Sequence, residues 1–327
     1  MGIYQALRAY LHRHRHGRTG ALLACVLLTV AACGDSTVQP ARQPGGPAGA
    51  VARLAKHLRS NDLHAFARDA VPPAHFEALE SAWRNGTSRW PLSELPLDDQ
   101  LDPMLAALAA PDAAGDLNTS FDRNLAHQGR DLRQAAGSLG AFGVQYVEGE
   151  GRYSAQERAH YVQVINALSE WARHAPLADP VRAKAAISVL AAAARRSGLA
   201  GEDRLQAAGM AQSLVRLGPF FAASKQVLAR YGLSLDRSLD GLRIESLKQH
   251  GDTAQVRIRY PLGEREIDSV LDLRRQGGRW YLADYLEQGE RALQARQADA
   301  RREQTPSALE VPPTGEPAAP LAVPPAD

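Results

Sequence analysis

Apolar residues follow two different periods along this chain. From about residue 50 to 232 they recur every three or four positions, and from Leu242 onward at every second position. The first spacing belongs to helices buried on one face, the second to strands buried on one face. Val51, Leu54 and Leu58 form one helical stripe, and Leu63, Phe66 and Ala67 begin another after the capping pair Asn61-Asp62. Pro72-Pro73 opens a third helix carrying Phe76, Leu79 and Trp83, and Pro91 and Pro96 break the pattern over 88–99. The spacing predicts helices again over Leu101–Ala109 and Ser120–Ala136. Gly137, Gly140, Gly143, Gly149 and Gly151 then predict a turn-rich crossing.

Ser154 and Glu157 form a capping box ahead of Tyr161, Ile165, Leu168 and Trp171. Asp179-Pro180 is an N-cap followed by proline at the first helical position, and Gly198 closes that helix. Two further helices are expected over 203–216 and 219–231, the second opened by Pro219 and stopped by Gly232. Short turns between such helices predict antiparallel hairpins. The period then changes. Leu242–Gln249 reads as a strand, Gly251-Asp252 as a turn, and Ala254, Val256, Ile258 and Tyr260 alternate with polar residues. Ile267, Ser269, Leu271 and Leu273 follow Gly263, and Gly277-Gly278 leads into a last strand over Trp280–Tyr285. A polar helix is expected over 286–302. The fold class is therefore α+β: a mostly helical region, 49–232, then a four-stranded antiparallel meander with a C-terminal helix, 233–303, packed on the helices.

Composition narrows the class. Hydrophobic residues at 45% and charged residues at 23% exclude wholesale disorder and a polytopic membrane protein. The net charge of +2 includes a leader, residues 1–32, with four arginines and no acid. The remaining 34 bases face 36 acids, a net of −2, so nothing calls for nucleic acid. Residues 304–327 hold seven prolines and read as a disordered tail without a core.

The leader has the parts of a secretory signal. Arg8, Arg13, Arg15 and Arg18 precede an apolar run from Ala21 to Ala32, too short to span a bilayer. It ends in Val30-Ala31-Ala32-Cys33, which resembles the lipobox of bacterial lipoproteins. That resemblance implies cleavage before Cys33, which would carry a thioether-linked diacylglycerol and an N-acyl chain such as palmitate. Two or three chains anchor firmly at about 0.8 kcal/mol per buried CH₂. Gly34, where an Asp would favour inner-membrane retention, implies the outer membrane, with the protein facing the periplasm. Residues 33–48 then form a flexible lipidated tether. Cys25 lies in the leader, so with Cys33 under lipid the folded part has no thiol, disulfide or thiolate ligand.

A meander ending in GGRWYLADY after early helices resembles the nuclear transport factor two-like fold, over residues 242–285 and 50–85. The helical stretch 101–232 lies outside that resemblance and would be an insertion or a separate helical domain. As a whole the chain also resembles uncharacterised lipoproteins of gammaproteobacteria.

Recognisable catalytic motifs are absent: no GxSxG, no phosphate loop, no GxGxxG, no HExxH and no EF-hand spacing. Ser224-Lys225 is adjacent, which points the two side chains apart on a helix. His57 and His64 are seven residues apart, but Asn61-Asp62 argues for a break between them. Asp98, Asp99 and Asp102 fit a helix start better than a calcium loop. No metal or cofactor is expected. Glu148, Glu150 and His160 are the candidates for an acid–base site. For binding, the candidates are Phe220, Phe221, Tyr231, Trp280, Tyr281 and Tyr285, which would line an apolar pocket at the open end of the curled sheet, or fill the core between helix and meander. The expected role is non-catalytic binding of an envelope protein or small amphiphilic ligand, with the membrane engaged through lipid. The alternatives are an envelope enzyme with a carboxylate or His site, and an immunity-type lipoprotein that neutralises a secreted toxin.

Overall fold

The computed structural model describes residues 45–94, 98–149, 153–201 and 203–304. The leader and lipobox, the tether through residue 44, Glu150 and the proline-rich tail from residue 305 lie outside the described residues. Three short helices come first, α1 (Pro47–Arg59), α2 (Leu63–Ala70) and α3 (Pro73–Arg84), followed by two 3₁₀ turns, Leu92–Glu94 and Asp98–Gln100. Next come α4 (Leu101–Ala109), α5 (Ala113–Asn124), α6 (Gly129–Gly149), α7 (Ala155–His174), α8 (Pro180–Ser197), α9 (Arg204–Arg230) and α10 (Leu235–Asp240). The strands β1 (Arg243–His250), β2 (Thr253–Leu262), β3 (Arg265–Gln276) and β4 (Arg279–Leu282) form one antiparallel sheet in that order, and α11 (Ala283–Gln304) closes the chain. The architecture is α+β, as the change of period predicts. Among the described residues no helix is long and apolar enough to cross a membrane.

The signposted helix starts form as the sequence indicates. Asp62 accepts from the Ala65 N–H, Ser154 and Glu157 complete their capping box, and Asp179 accepts from the N–H groups of Val181 and Arg182. In the sheet, Gly277 and Gly278 both take positive φ (56° and 77°), which a two-residue hairpin between right-twisted strands requires. Ala254, Val256, Ile258, Tyr260 and Leu262 of β2 all point into the core, and Tyr260 pairs with Ile267 and Ala254 with Leu273 on the same face. Each large apolar side chain so buried contributes about 1.5–3 kcal/mol. The opposite face is polar, with Gln255 against Asp272 and Arg257 against Asp268.

Five expectations are corrected. The tether ends earlier than residue 48, because Pro47 is already the first residue of α1. The glycine-rich stretch is not a loop but the second half of α6. Its glycines let α6 lie directly on α7: a Cβ on Gly140 would collide with Ser169, and one on Gly143 would touch Ile165 at 3.4 Å. The break falls earlier, at Leu125–Gln128, where His127 has φ 66°, so Ser120–Ala136 is not one helix. Residues 204–230 form the single helix α9, kinked at Gly209 (φ 78°, ψ 166°) rather than opened afresh at Pro219. Side chains of α3 satisfy that kink: Glu80 accepts from the Ala211 N–H at 2.8 Å, and Trp83 Nε1 donates to the Leu205 carbonyl at 2.8 Å. Finally, the last strand stops at Leu282, and Asp284 and Tyr285 belong to the first turn of α11.

Helices and meander share one hydrophobic core. It runs from Val51, Leu54 and Leu58 through Val164, Ala167 and Leu214 to Ile258, Tyr260 and Leu282, so the helical region is not a separate domain. A buried lysine ties the end of α1 to α9 and α10: Lys225 Nζ donates to the Leu58 and Arg59 carbonyls, each at 3.2 Å, and pairs with Asp236. It answers the carbonyls that a helix C-terminus leaves without intrahelical donors.

Candidate functional site

β4 is four residues long and pairs only with Leu273–Gln276, so the edge of β3 before Leu273 has no strand beside it. An open edge leaves N–H and C=O groups unpaired. Here α7 takes the place of the missing strand. The Gln163 amide donates to the Asp268 carbonyl and accepts from the Asp268 N–H, both at 2.9 Å. Gln156 donates to the Val270 carbonyl, and Glu170 pairs with Arg265. Gln156, Gln163 and Glu170 are spaced by seven residues and so lie on one stripe of the helix. α7 therefore runs antiparallel to β3, and a cavity opens on each side of the Gln163 clasp.

The first cavity, of about 490 Å³, lies where α7 and α11 begin, against Ser269–Asp272 of β3. Glu157, His160, Tyr161, Asp272, Asp284 and Tyr285 line it, and no Lys or Arg does. The second, of about 620 Å³, lies where α7 and α9 end, against the β2–β3 turn and Arg182 of α8. Trp171, His174, Arg182, Arg230, Tyr231 and Arg265 line it, together with Glu170 and Glu264. Helix ends account for the sign of each: acids suit the positive N-terminal ends and cations the negative C-terminal ends. Arg182, for example, donates to the Arg230 carbonyl at 2.7 Å, in the last turn of α9.

The two ends differ in how well that charge is answered. At the second cavity the Arg265 guanidinium holds the Glu170 carboxyl below the usual range, and the Arg182 and Val181 backbone N–H groups do the same for Asp179. At the first, partial withdrawal from water pushes the Asp284 carboxyl up to about 6, and repulsion from Glu157, Glu287 and Asp272 adds to it. Asp284 is solvent-accessible at the cavity mouth, so repulsion and crowding act there without full burial. Close by, burial pushes Glu94 up to about 8, with Asp284 and Asp98 adding to the shift and Arg291 opposing it. Geometrically, this lining sets Glu157, Asp272 and Asp284 together with no Lys or Arg, so acids outnumber bases at this end.

The rings of the first cavity are held in place. Tyr285 meets Trp90 edge-on at 5.5 Å and Phe66 at 6.1 Å, and Tyr161 meets Tyr153 at 5.1 Å. His160 is buried beside Tyr161, with ring centroids 5.9 Å apart.

The six aromatic candidates do not gather in one pocket. Tyr285 lines the first cavity and Tyr231 the second. Phe220 is buried in the core, and Phe221 is half-buried with Lys225 Nζ 5.3 Å from its ring centre. Trp280 lies on the core side of β4 with the Arg275 guanidinium 5.6 Å from its ring, and Tyr281 is buried on the opposite face. Of the acid–base candidates, His160 lines the first cavity, Glu148 is exposed on α6, and Glu150 lies outside the described residues. His57 and His64 fall on separate helices, His57 bonded to Asp69 at 2.9 Å and His64 edge-on to Phe76. Asp102 is held by Arg89 at 2.8 and 3.0 Å. Among the described residues no group of three His, Cys, Asp or Glu could hold a metal ion.

Sequence reasoning did not single out Asp284, Glu94 or the Gln156–Gln163–Glu170 stripe. The stripe has a readable signal in its seven-residue spacing. The carboxyls do not, because their neighbours come from α7, β3 and α11 together. Compared with family models, with curated proteins and with solved structures, the chain matches none.

Proposed function

We propose that this protein is a lipid-anchored, periplasm-facing binding protein of the cell envelope, and that it holds a small ligand in the tyrosine-lined cavity where α7 begins. The anchor and the outer-membrane location rest on the leader and on Val30-Ala31-Ala32-Cys33. The observation that carries the binding role is the cavity itself: about 490 Å³ between α7, β3 and α11, with phenol rings already fixed by packing. Ligand sites are commonly concave, largely pre-formed and of this size, with a few polar groups on an otherwise apolar lining.

Native mass spectrometry of the chain from residue 34, exported to the periplasm, tests the binding role. The expected result is a reproducible excess of a few hundred daltons, roughly the size of ligand that such cavities bury. The theoretical mass alone would count against a carried ligand. Replacing Cys33 by Ser is expected to give a soluble form without acyl mass, and an unchanged membrane fraction would overturn the anchor.

An envelope enzyme is the second reading, favoured by one observation: His160 and Asp284 share the cavity and could pass a proton. Its test is the fate of the recovered ligand. Conversion by the wild type but not by a folded His160→Gln form would favour catalysis, and an unchanged ligand with both would leave binding as the role.

A further inference from the structure

We infer that the first cavity takes an organic cation, an ammonium group carried on an apolar or aromatic body. This rests on the binding role proposed above and names its ligand class.

Three features of the cavity lead there. Its lining combines three carboxylates, Glu157, Asp272 and Asp284, with Tyr161 and Tyr285, and includes no Lys or Arg. The carboxylates are not equivalent. Glu157 is committed to the α7 capping box, accepting from the Ser154 N–H at 2.7 Å, and Asp272 accepts from Gln255 at 2.9 Å. Asp284 stands at the mouth with no salt bridge to any described residue, although arginines are plentiful on this sheet. An ammonium there would pair with a carboxyl that withdrawal from water first, and repulsion from Glu157, Glu287 and Asp272 second, holds up, while tyrosine faces favour a cation above them.

The opposite end of α7 supplies the control. Its cavity is larger, but Arg265 and Arg182 already answer Glu170 and Asp179. Excess charge is thus confined to the cavity that also holds the two fixed phenols. A cavity of about 490 Å³ far exceeds what a bare ion needs, and no metal-binding group is present among the described residues, so the occupant is an organic cation rather than a metal.

Scanning calorimetry of the lipidated full chain in neutral detergent tests this, with four probes: 2-phenylethylammonium, 2-phenylethanol, 3-phenylpropanoate and magnesium chloride. At pH 7.5 the ammonium is expected to raise the melting midpoint by about 5–10 °C at a hundredfold excess over Kd. The alcohol and the carboxylate should do little. The rise should shrink at pH 5, where Asp284 is protonated. The other titratable groups that face Asp284 are Glu157 and His160 on α7, Asp272 on β3 and Glu287 on α11, with Glu94 nearby. Asp284→Asn should abolish the rise, and Asp272→Asn, removing a carboxylate already held by Gln255, should weaken it. Equal shifts from alcohol and ammonium would overturn the charge inference while leaving the cavity as a binding site. A shift from magnesium alone would replace the organic cation by a metal. No shift from the ammonium, with excess mass still carried, would also overturn the inference. No shift and no carried mass would overturn the binding role itself.

Discussion

The two ends of α7 are built from the same parts and reach opposite electrostatic outcomes. Each has a helix terminus, a neighbouring helix terminus, a stretch of the same β3 edge and at least one half-exposed or buried tyrosine. At the C-terminal end Glu170 is paired with Arg265, Asp179 accepts from the Val181 and Arg182 backbone N–H groups, and both carboxyls are held low. At the N-terminal end Asp284 is pushed up although it sits in the first turn of α11, where a carboxylate is favoured, and burial pushes up nearby Glu94. Helix dipoles therefore explain the sign of each end but not the surplus at one of them. A surplus of charge inside a lined cavity, rather than charge as such, distinguishes a candidate site from a helix terminus with its usual complement.

The largest expected effect comes from the most strongly perturbed carboxyl beside that cavity. Glu94 has a folded value of about 8 against an ordinary 4.5, so the folded state binds its proton more tightly than the unfolded chain. Stability from this group is fully present below about pH 4.5 and is lost as pH rises through about 8, by an amount on the order of 4 kcal/mol. Asp284 contributes with the same sign between its ordinary 3.8 and about 6. Glu94→Gln should therefore be more stable than the wild type at pH 8 and nearly equal at pH 4. Urea denaturation across that range measures it. An unchanged slope in the variant would mean that the two ends of α7 do not differ in unanswered charge.

A smaller effect is expected from the clasp between the cavities. Gln163→Ala takes the partners from both the N–H and the C=O of Asp268, at a cost of about 1–3 kcal/mol. Water can reach the exposed edge and repair part of this, which sets the effect below that of Glu94. Amide exchange at Asp268 should quicken in the variant, while exchange within β2, paired on both sides, should not. If exchange at Asp268 stays slow, α7 does not act as the missing strand, and the two cavities are not separated by this contact.

Much of this arrangement is legible in the sequence where the physics is local. Ser154-x-x-Glu157, Asp179-Pro180 and the alternation Ala254-Val256-Ile258-Tyr260 each predict an element that forms, because caps and strand alternation depend on neighbours a few residues away. The glycines of α6 mislead for the converse reason. Their effect on backbone freedom is local and argues for a loop, yet their use is tertiary, since Gly140 must make room for Ser169. Pro219 misleads similarly, sitting within α9 while the true kink at Gly209 is supported by Glu80 and Trp83 of a distant helix. In the cavity, Tyr285 stands out as an aromatic residue, but Asp284 beside it does not. Its character depends on Glu157 and Asp272, which are 127 and 12 residues away in sequence, and no spacing announces them.

The smallest effect belongs to the arginine end, and its sign completes the contrast. Glu170 is held below its ordinary value by Arg265, so its contribution is present above about pH 4.5 and is lost as pH falls through its lower folded value. That is opposite in direction to Glu94. The pair is exposed and screened by water, which keeps its contribution small. Glu170→Gln should leave the urea midpoint at pH 8 within a small fraction of the change seen for Gln163→Ala, and should slightly flatten the loss of stability below pH 4.5. A destabilisation as large as that of Gln163→Ala would show that Glu170 anchors α7 to the sheet as firmly as Gln163 does. A midpoint unchanged at pH 8 and a flatter acid limb would leave the N-terminal end as the one whose charge lacks an internal answer.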